Sequence, residues 1–402
     1  MLARLAETVA LASQRTPAGR RAVEAAGRAL ESLRWPDDLS RLPLLRKSEL
    51  PALQATDPPL AGWNAVPVDA LRRLFVSPGP IYDPEGPNPD YWGFAPALHA
   101  AGFRRGDRVL NTFAYHLTPA GAMLEGGLMA LGCPVIPGGV GNTEILARTA
   151  RDLKISGYVG TPSFLATLLE KVEGGSPFRV AFVSGEMLTE SLRAELEAKG
   201  VRVSQGYATG DVGLIAYECR ERNGFHLASR VFVEIVDVES CEACAAGEVG
   251  EVVVTFLSDV YPVLRLATGD LSRLDVGPCP CGRGAPRLAG VLGRVGDSVK
   301  VREMLVHPND VKRAMAHFPQ IARYQLVVRR EGHQDQLTAR IEAPPEAAGG
   351  AGVPGAAGAE DLAGAVAERL REAIKVRAEV QVVAPGTLPD GARLIADERR
   401  WT

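Results

Sequence analysis

The chain has 402 residues, 46% hydrophobic and 23% charged, with a formal net charge of −3. It is too long for one simple core and fits a large domain plus a smaller one, and it lacks the basic excess or dense Lys/Arg cluster of a nucleic-acid binder. No apolar run reaches about 18 residues, against a membrane helix, and Glu7 breaks the first apolar stretch, against a secretory signal.

Without an export signal, the six cysteines are expected in a reducing cytoplasm, where paired cysteines more often mean metal than disulfide. The first sixty residues carry helical patterning. Leu2, Leu5, Val9 and Leu11 form one stripe, a second helix is expected near 19–33, and Ser48 in RLPLLRKSELPAL is placed to cap a third. From about 70 to 215, apolar runs ending in Gly, Ser or Thr alternate with helical segments near 91–102, 118–131, 144–153, 162–172 and 188–199. The runs are RRLFVSPG, DRVLNTF, CPVIPGG, GYVGTPS, RVAFVSGE and RVSQGYATG. Such alternation predicts an α/β fold: a mostly parallel sheet covered on both faces, with ligands beyond the carboxyl ends of its strands. Ser77, Tyr115, Gly138, Thr161, Ser184 and Tyr207 stand at those ends.

From 230 to 275 the apolar period becomes two, in FVEIVDV, GEVVVTFL and YPVLRLA, which predicts a small antiparallel β-subdomain. GRVGDSVKVRE then reads as a hinge near 293–302. Beyond it, helix 308–317, strands 322–329 and 336–342, helix 361–376 and strand 379–383 predict a small α+β domain. Leu362, Val366, Leu370 and Ile374 share one face of its second helix, and 343–360 reads as a mobile low-complexity loop. The expected domains are 1–294 and 295–402.

Two segments carry metal-ligand chemistry. GPCPCGRG contains Cys279 and Cys281, and ECRERNGFH contains Cys219 and His226. Three thiolates and an imidazole suit a tetrahedral structural zinc site. The ligands are split over sixty residues, so spacing alone leaves open two loop cysteines and a stray histidine. Cys241 and Cys244 form a competing Cys-x-x-Cys, at a position where a hairpin turn is expected. Cys133 reads as a core residue.

The stretches GGVGNTE, GTPSFL, GYATGDVGLIAYEC, NGFHL, GEVGEVVVTFL, LRLATGDL, CPCGRGAPRL and GRVGDSVKV, taken together and in order, resemble the phenylacetate–coenzyme A ligase family of adenylate-forming enzymes. The likeness runs from about residue 5 to 342 and more weakly to the end. It implies that ATP and a carboxylic acid form an acyl-adenylate, from which coenzyme A displaces AMP. It also implies a large adenylate-binding domain and a small mobile domain. By this resemblance Tyr207 stacks on adenine, Ser184, Gly185 and Glu186 line the adenine pocket, and Thr209 contacts phosphate. Asp211 stands where the family has a magnesium-holding glutamate, Asp270 and Arg294 meet the ribose, and Asp297 marks the hinge. Tyr115, His116, Gly138 and Gly139 fall in the acid and coenzyme A region, with His116 as pocket wall rather than proton carrier. Cys219, His226, Cys279 and Cys281 match the family's ligand positions, which favours structural zinc. The implied partners are a small aromatic or organic acid, the nucleotide and coenzyme A, with a homodimer as the assembly.

Two departures stand out. The phosphate-loop position reads FVSPGPIYDPEG, where Ser77 and Gly79 remain. Its prolines remove N–H donors, and Asp83 and Glu85 are expected to repel phosphate. The C-terminal Gly-Lys becomes DGARLIADERR, with no lysine after Gly391 and Arg393 as the nearest cation. Three readings follow: a working ligase with altered ATP handling; a homologue repurposed to a preformed acyl-adenylate or thioester; a non-catalytic binder of adenylate or acyl ligand.

Overall fold

The computed structural model describes residues 1–172, 174–238, 240–295, 299–302, 304–306, 308–332, 334–343, 357–389 and 391–399. Asp297, the expected hinge residue, and most of the expected low-complexity loop lie outside them. The chain divides into two compact units, Met1–Gly293 and Arg294–Thr402.

The strands of the first unit are β1 (Leu45–Arg46), β2 (Arg73–Ser77), β3 (Ile81–Glu85), β4 (Val109–Asn111), β5 (Val135–Pro137), β6 (Gly157–Gly160), β7 (Val180–Val183), β8 (Arg202–Thr209), β9 (Gly213–Glu218), β10 (Phe225–Leu227), β11 (Val231–Val236), β12 (Gly250–Phe256), β13 (Leu266–Ser272), β14 (Leu274–Asp275) and β15 (Arg287–Leu288). One sheet runs β14–β15–β10–β9–β8–β7–β6–β4–β5. Its half from β5 to β8 is parallel, and from β8 onward it is antiparallel. All four residues of β7 are fully buried, as a parallel strand covered on both faces must be. A second sheet runs β1–β13–β12–β11, with β1 parallel to β13 and the other pairs antiparallel.

The five helical segments expected between 91 and 199 are present as Ala95–Ala101, Ala120–Ala130, Thr143–Asp152, Pro162–Lys171 and Glu190–Ala198. Thr161 and Thr189 cap the last two by accepting from Phe164 N and Leu192 N, with proline opening the first of these. Three expectations fail. The second N-terminal helix is Pro17–Ala25, because the chain reverses at Gly27, whose φ of +67° is left-handed. Ser48 caps nothing; it lies inside a 3₁₀ turn, Lys47–Glu49, and the α-helix that follows starts at Leu50. RRLFVSPG is not a strand of the parallel sheet: the short Pro-Gly-Pro connection folds it back, so β2 pairs antiparallel with β3 as a separate ribbon.

The second unit has its own core. A four-stranded sheet, in the order 379–383, 334–342, 323–331, 395–397, packs with helices Pro308–Met315 and Ala357–Ile374. Leu362, Val366, Leu370 and Ile374 are buried in that core.

Candidate active site and metal centre

The turn at the end of β8 gathers most of the expected site. The β8–β9 hairpin shifts register between Tyr207 and Ala208, then turns through residues 210–212 into Gly213. Gly213 has φ +74°, and a Cβ there would come within 2.9 Å of Trp92, so glycine is required. Tyr207 Oη donates to Asp270 Oδ2 at 2.7 Å and lies 3.3 Å from Thr268 Oγ1. One bond thus joins the two sheets at the place where adenine and ribose were expected to be read. Ser184 donates to Gly206 O at 2.9 Å, and Glu186 O accepts from Gln205 Nε2 at 3.2 Å. The 184–186 segment therefore lies along β8, with Gly185 left-handed at φ +86°.

Asp211 is buried, and its Oδ2 accepts from Lys47 Nζ at 2.5 Å. Lys47 follows β1, whose pairing with β13 (Leu45↔Leu266) carries it across 164 residues of sequence. Burial alone would lower the Lys47 pKa, but the charges of Asp211, Asp83 and Asp270 prevail and raise it. Sequence reasoning missed this residue: it is a lone lysine before a helix, and its only signal is position next to a strand.

The β2–β3 ribbon supplies Asp83, which is buried beside Asp211 and receives a hydrogen bond from Ser77 Oγ. Burial first, then the Asp211 charge, pushes its carboxyl up to about 8, against the hydrogen bond of Ser77 and the charge of Lys47. Glu85 faces other partners, Arg73 at 3.2 Å and Arg72 at 3.9 Å. The expectation that both carboxylates would simply repel phosphate thus changes. Glu85 is neutralised locally, and Asp83 belongs to the Lys47–Asp211 cluster.

Asn111, fully buried, organises the expected acid region. Its Nδ2 donates to Tyr115 Oη at 2.9 Å and to Gly121 O at 2.8 Å, and its backbone O accepts from Gly138 N and Gly139 N at 2.9 and 3.0 Å. Burial and the Glu125 carboxylate hold the Tyr115 hydroxyl well above its ordinary pKa. His116 is exposed. Arg294 and Arg393 belong to the second unit; Arg393 is exposed, and its O accepts from Gln325 Nε2 at 3.0 Å.

Cys219, His226, Cys279 and Cys281 converge, with all four ligand atoms within 4.8 Å of one another. Cys219 follows β9, His226 lies on β10 opposite Tyr217 and Arg287, and Cys279 and Cys281 sit in the loop between β14 and β15. The Cys219 and Cys279 sulfurs are 3.8 Å apart, the edge of a tetrahedron whose Zn–S bonds are about 2.3 Å. Cys281 Sγ is 3.4 Å from His226 Nε2. Burial, then the charge of Arg283, lowers the His226 pKa and favours the neutral imidazole a metal needs. Burial opposes a Cys281 thiolate, but hydrogen bonds from Arg283 prevail and bring it to about 7. The residues fit zinc and leave no open position. Cys241 and Cys244 lie outside this cluster, in the β11–β12 connection, with Cys241 Sγ 3.7 Å from Arg46 Nη2.

A family profile described as "AMP-binding enzyme C-terminal domain" matches residues 304–399. The phenylacetate–coenzyme A ligase of Thermus thermophilus is 33% identical over 359 residues, 84% of this chain and 80% of that protein. That of Aromatoleum evansii is 31% identical over 366 residues, 86% of this chain and 81% of its own length. Among solved structures, a 2-hydroxyisobutyryl-CoA ligase in complex with 2-HIB-AMP and CoA superposes with a TM-score of 0.86 at 24% identity, covering 99% of this chain and 89% of that one; at that identity the likeness is one of fold.

Proposed function

The chain belongs to the phenylacetate–coenzyme A ligase family, and on that premise we propose that it is an AMP-forming ligase joining a small aromatic or organic acid to coenzyme A. The observation that carries this reading is the Tyr207–Asp270 bond at the strand ends, beside Thr209 and the Lys47–Asp211 pair. In the first half-reaction an acid oxygen attacks the α-phosphorus of ATP and pyrophosphate leaves. In the second, the coenzyme A sulfur attacks the acyl carbon and AMP leaves with the bonding electron pair.

On this reading each residue has a role. Tyr207 offers a ring face for adenine, and its hydroxyl bond to Asp270 holds that ring and orients a carboxylate toward the ribose hydroxyls. Ser184, Gly185 and Glu186 line the base. Thr209 Oγ1, buried and without a partner, is a donor to phosphate. Asp211 holds magnesium, which when bound screens phosphate charge; its Oδ1 is likewise buried and unpartnered. Lys47, the cation already in the cluster, meets the phosphates directly. Tyr115, Asn111, Gly138 and Gly139 shape the acid region, and the exposed His116 is its rim. Arg294 and Arg393, from the second unit, are the cations for ribose and carboxylate. The Cys219, His226, Cys279 and Cys281 site holds structural zinc. The protein works as a cytoplasmic homodimer, an assembly that light scattering reads and a monomer peak refutes.

A second reading, in which ATP-dependent adenylation is impaired while AMP or acyl-adenylate still binds, is favoured by the β2–β3 ribbon in the phosphate-loop position and by the tail without lysine. Incubation with magnesium-ATP, coenzyme A and a panel of aryl and short-chain acids, following AMP and thioester together, separates the two. On the ligase reading both products appear. Asp270→Ala lowers kcat/KM by about 10–150-fold, the worth of hydrogen bonds to a charged group, and Arg393→Ala abolishes adenylation but not thioester formation from a supplied acyl-adenylate. AMP binding without AMP formation from any acid supports the second reading. Neither turnover nor binding overturns both.

A further inference from the structure

Among the described residues, three buried oxygens near the end of β8 have no hydrogen-bond partner: Asp83 Oδ1, Asp211 Oδ1 and Thr209 Oγ1. Asp83 and Asp211 are only 1% and 2% exposed, so bulk solvent does not reach these atoms. They belong to one locus. A Cβ built on Gly210, between Thr209 and Asp211, would lie 3.0 Å from Asp83 Oδ2 and 2.5 Å from Ser77 Oγ. The second oxygen of each carboxylate is used, Asp83 Oδ2 by Ser77 and Asp211 Oδ2 by Lys47. Three carboxylates, Asp83, Asp211 and Asp270, act on the single ammonium of Lys47. The two carboxylate oxygens and the hydroxyl oxygen are thus hard donors gathered in one buried site, with no partner among the described residues.

We propose that Asp83, carried on the β2–β3 ribbon, is a second carboxylate ligand which, with Asp211 and the Thr209 hydroxyl, binds a divalent cation of the magnesium or manganese class. The proposal rests on reading Asp211 as the cation-holding residue of a ligase and adds to it a ligand carried on the β2–β3 ribbon. Its chemistry follows from the donors. Oxygen-only ligation suits hard cations, and magnesium is commonly held by one or two carboxylates plus substrate phosphate. A carboxylate cannot take the place of N–H groups against a phosphate, but it does so through a shared cation. The ribbon that removes donors from the phosphate loop thereby contributes a metal ligand to the same locus. Gly210 leaves the space: any side chain there would push Ser77 and Asp83 away.

The test is manganese binding by the full-length, zinc-replete protein without ATP, acid or coenzyme A, followed by the loss of the free Mn2+ signal in electron paramagnetic resonance. Wild type is expected to hold one Mn2+ per chain that Mg2+ displaces. Asp83→Asn should weaken it at least tenfold, Glu85→Gln, whose partners are Arg72 and Arg73, should leave it unchanged, and Lys47→Met, which removes the competing ammonium, should tighten it. Zinc content reports folding of each variant. If Asp83→Asn fails to retain zinc, Gly210→Ala keeps both carboxylates and should weaken Mn2+ by displacing Asp83. Mn2+ bound equally tightly by wild type and either variant, or no Mn2+ bound by wild type, overturns the proposal. Because no turnover is read, failure is separable: Mn2+ held through Asp83 without AMP formation sinks the ligase reading alone, and AMP formation with Asp83-independent Mn2+ sinks this inference alone.

Discussion

Lys47 and Asp211 form an ion pair that is buried on the carboxylate side and partly open on the other: the side chains are 24% and 2% exposed. The two partners are therefore unequal in what their loss does. Lys47→Ala leaves a desolvated carboxylate without its donor and is expected to destabilise the first unit by about 1–3 kcal/mol. Asp211→Asn leaves a partly solvated ammonium that can turn to water, and should cost less. The Lys47→Ala/Asp211→Asn double variant should recover part of the loss, because residues in direct contact are not additive. Thermal melts of the three variants measure this coupling; additive shifts would show that the pair contributes nothing. Asn111 shows the same logic in a neutral group: one buried amide and its own carbonyl tie Tyr115 to Gly138 and Gly139.

At the scale of elements, the β8–β9 hairpin serves both sites at once. Its turn presents Thr209 and Asp211, and its far end delivers Cys219. Between them Glu218, buried, accepts from Arg193 of helix Glu190–Ala198 at 2.6 Å and from Gln205 N at 2.8 Å, while Arg193 also donates to Val203 O at 3.0 Å. The hairpin is thus pinned to its covering helix next to Cys219. Glu218→Ala removes the 2.6 Å partner of a buried guanidinium that keeps Val203 O at 3.0 Å and the Glu190 carboxylate at 3.5 Å, with an expected cost of about 1–3 kcal/mol, and should lower zinc retention. Elemental analysis is expected to find one zinc per chain in the parent protein and less in Cys279→Ser and Glu218→Ala after dialysis against chelator. Full retention in Glu218→Ala would mean that the loop carrying Cys279 and Cys281 holds the ion without help from the hairpin. The β2–β3 ribbon is held in the same way, with Phe75, Ile81 and Asp83 buried and Gln54 bonded to both backbone groups of Tyr82 at 2.9 and 2.8 Å.

At the scale of the whole molecule, each of the two units buries a core of its own. Domains with separate cores unfold as separate units. Leu370→Ala, in the fully buried centre of the second unit, should destabilise residues 294–402 by about 2–5 kcal/mol. Hydrogen exchange should show that loss in strands 323–331 and 334–342 while amides of β6, β7 and β8 keep their protection. Equal loss in both units would show one cooperative molecule.

The sequence by itself determined the strand–helix alternation, which depends on local periodicity, and the family, which depends on residue types in an ordered series of short motifs. Val180–Val183 is a short apolar run ending at Ser184-Gly185, and Cys279-Pro-Cys281 lies in a Gly/Pro-rich stretch; the first is a buried strand and the second a turn, as those patterns predict. What only the tertiary structure decided was partnership over long separations. Lys47 reaches Asp211 because β1 adds to the edge of β13, and no pattern within RLPLLRKSELPAL encodes that edge. His226 joins Cys279 and Cys281 because β10 and β15 pair in the antiparallel extension. Asp83 enters the cluster because the ribbon folds on itself instead of joining the parallel sheet. Periodicity states which face of a strand is apolar; strand pairing, a non-local choice among many nearly equivalent edges, decides whose charges then share a buried site.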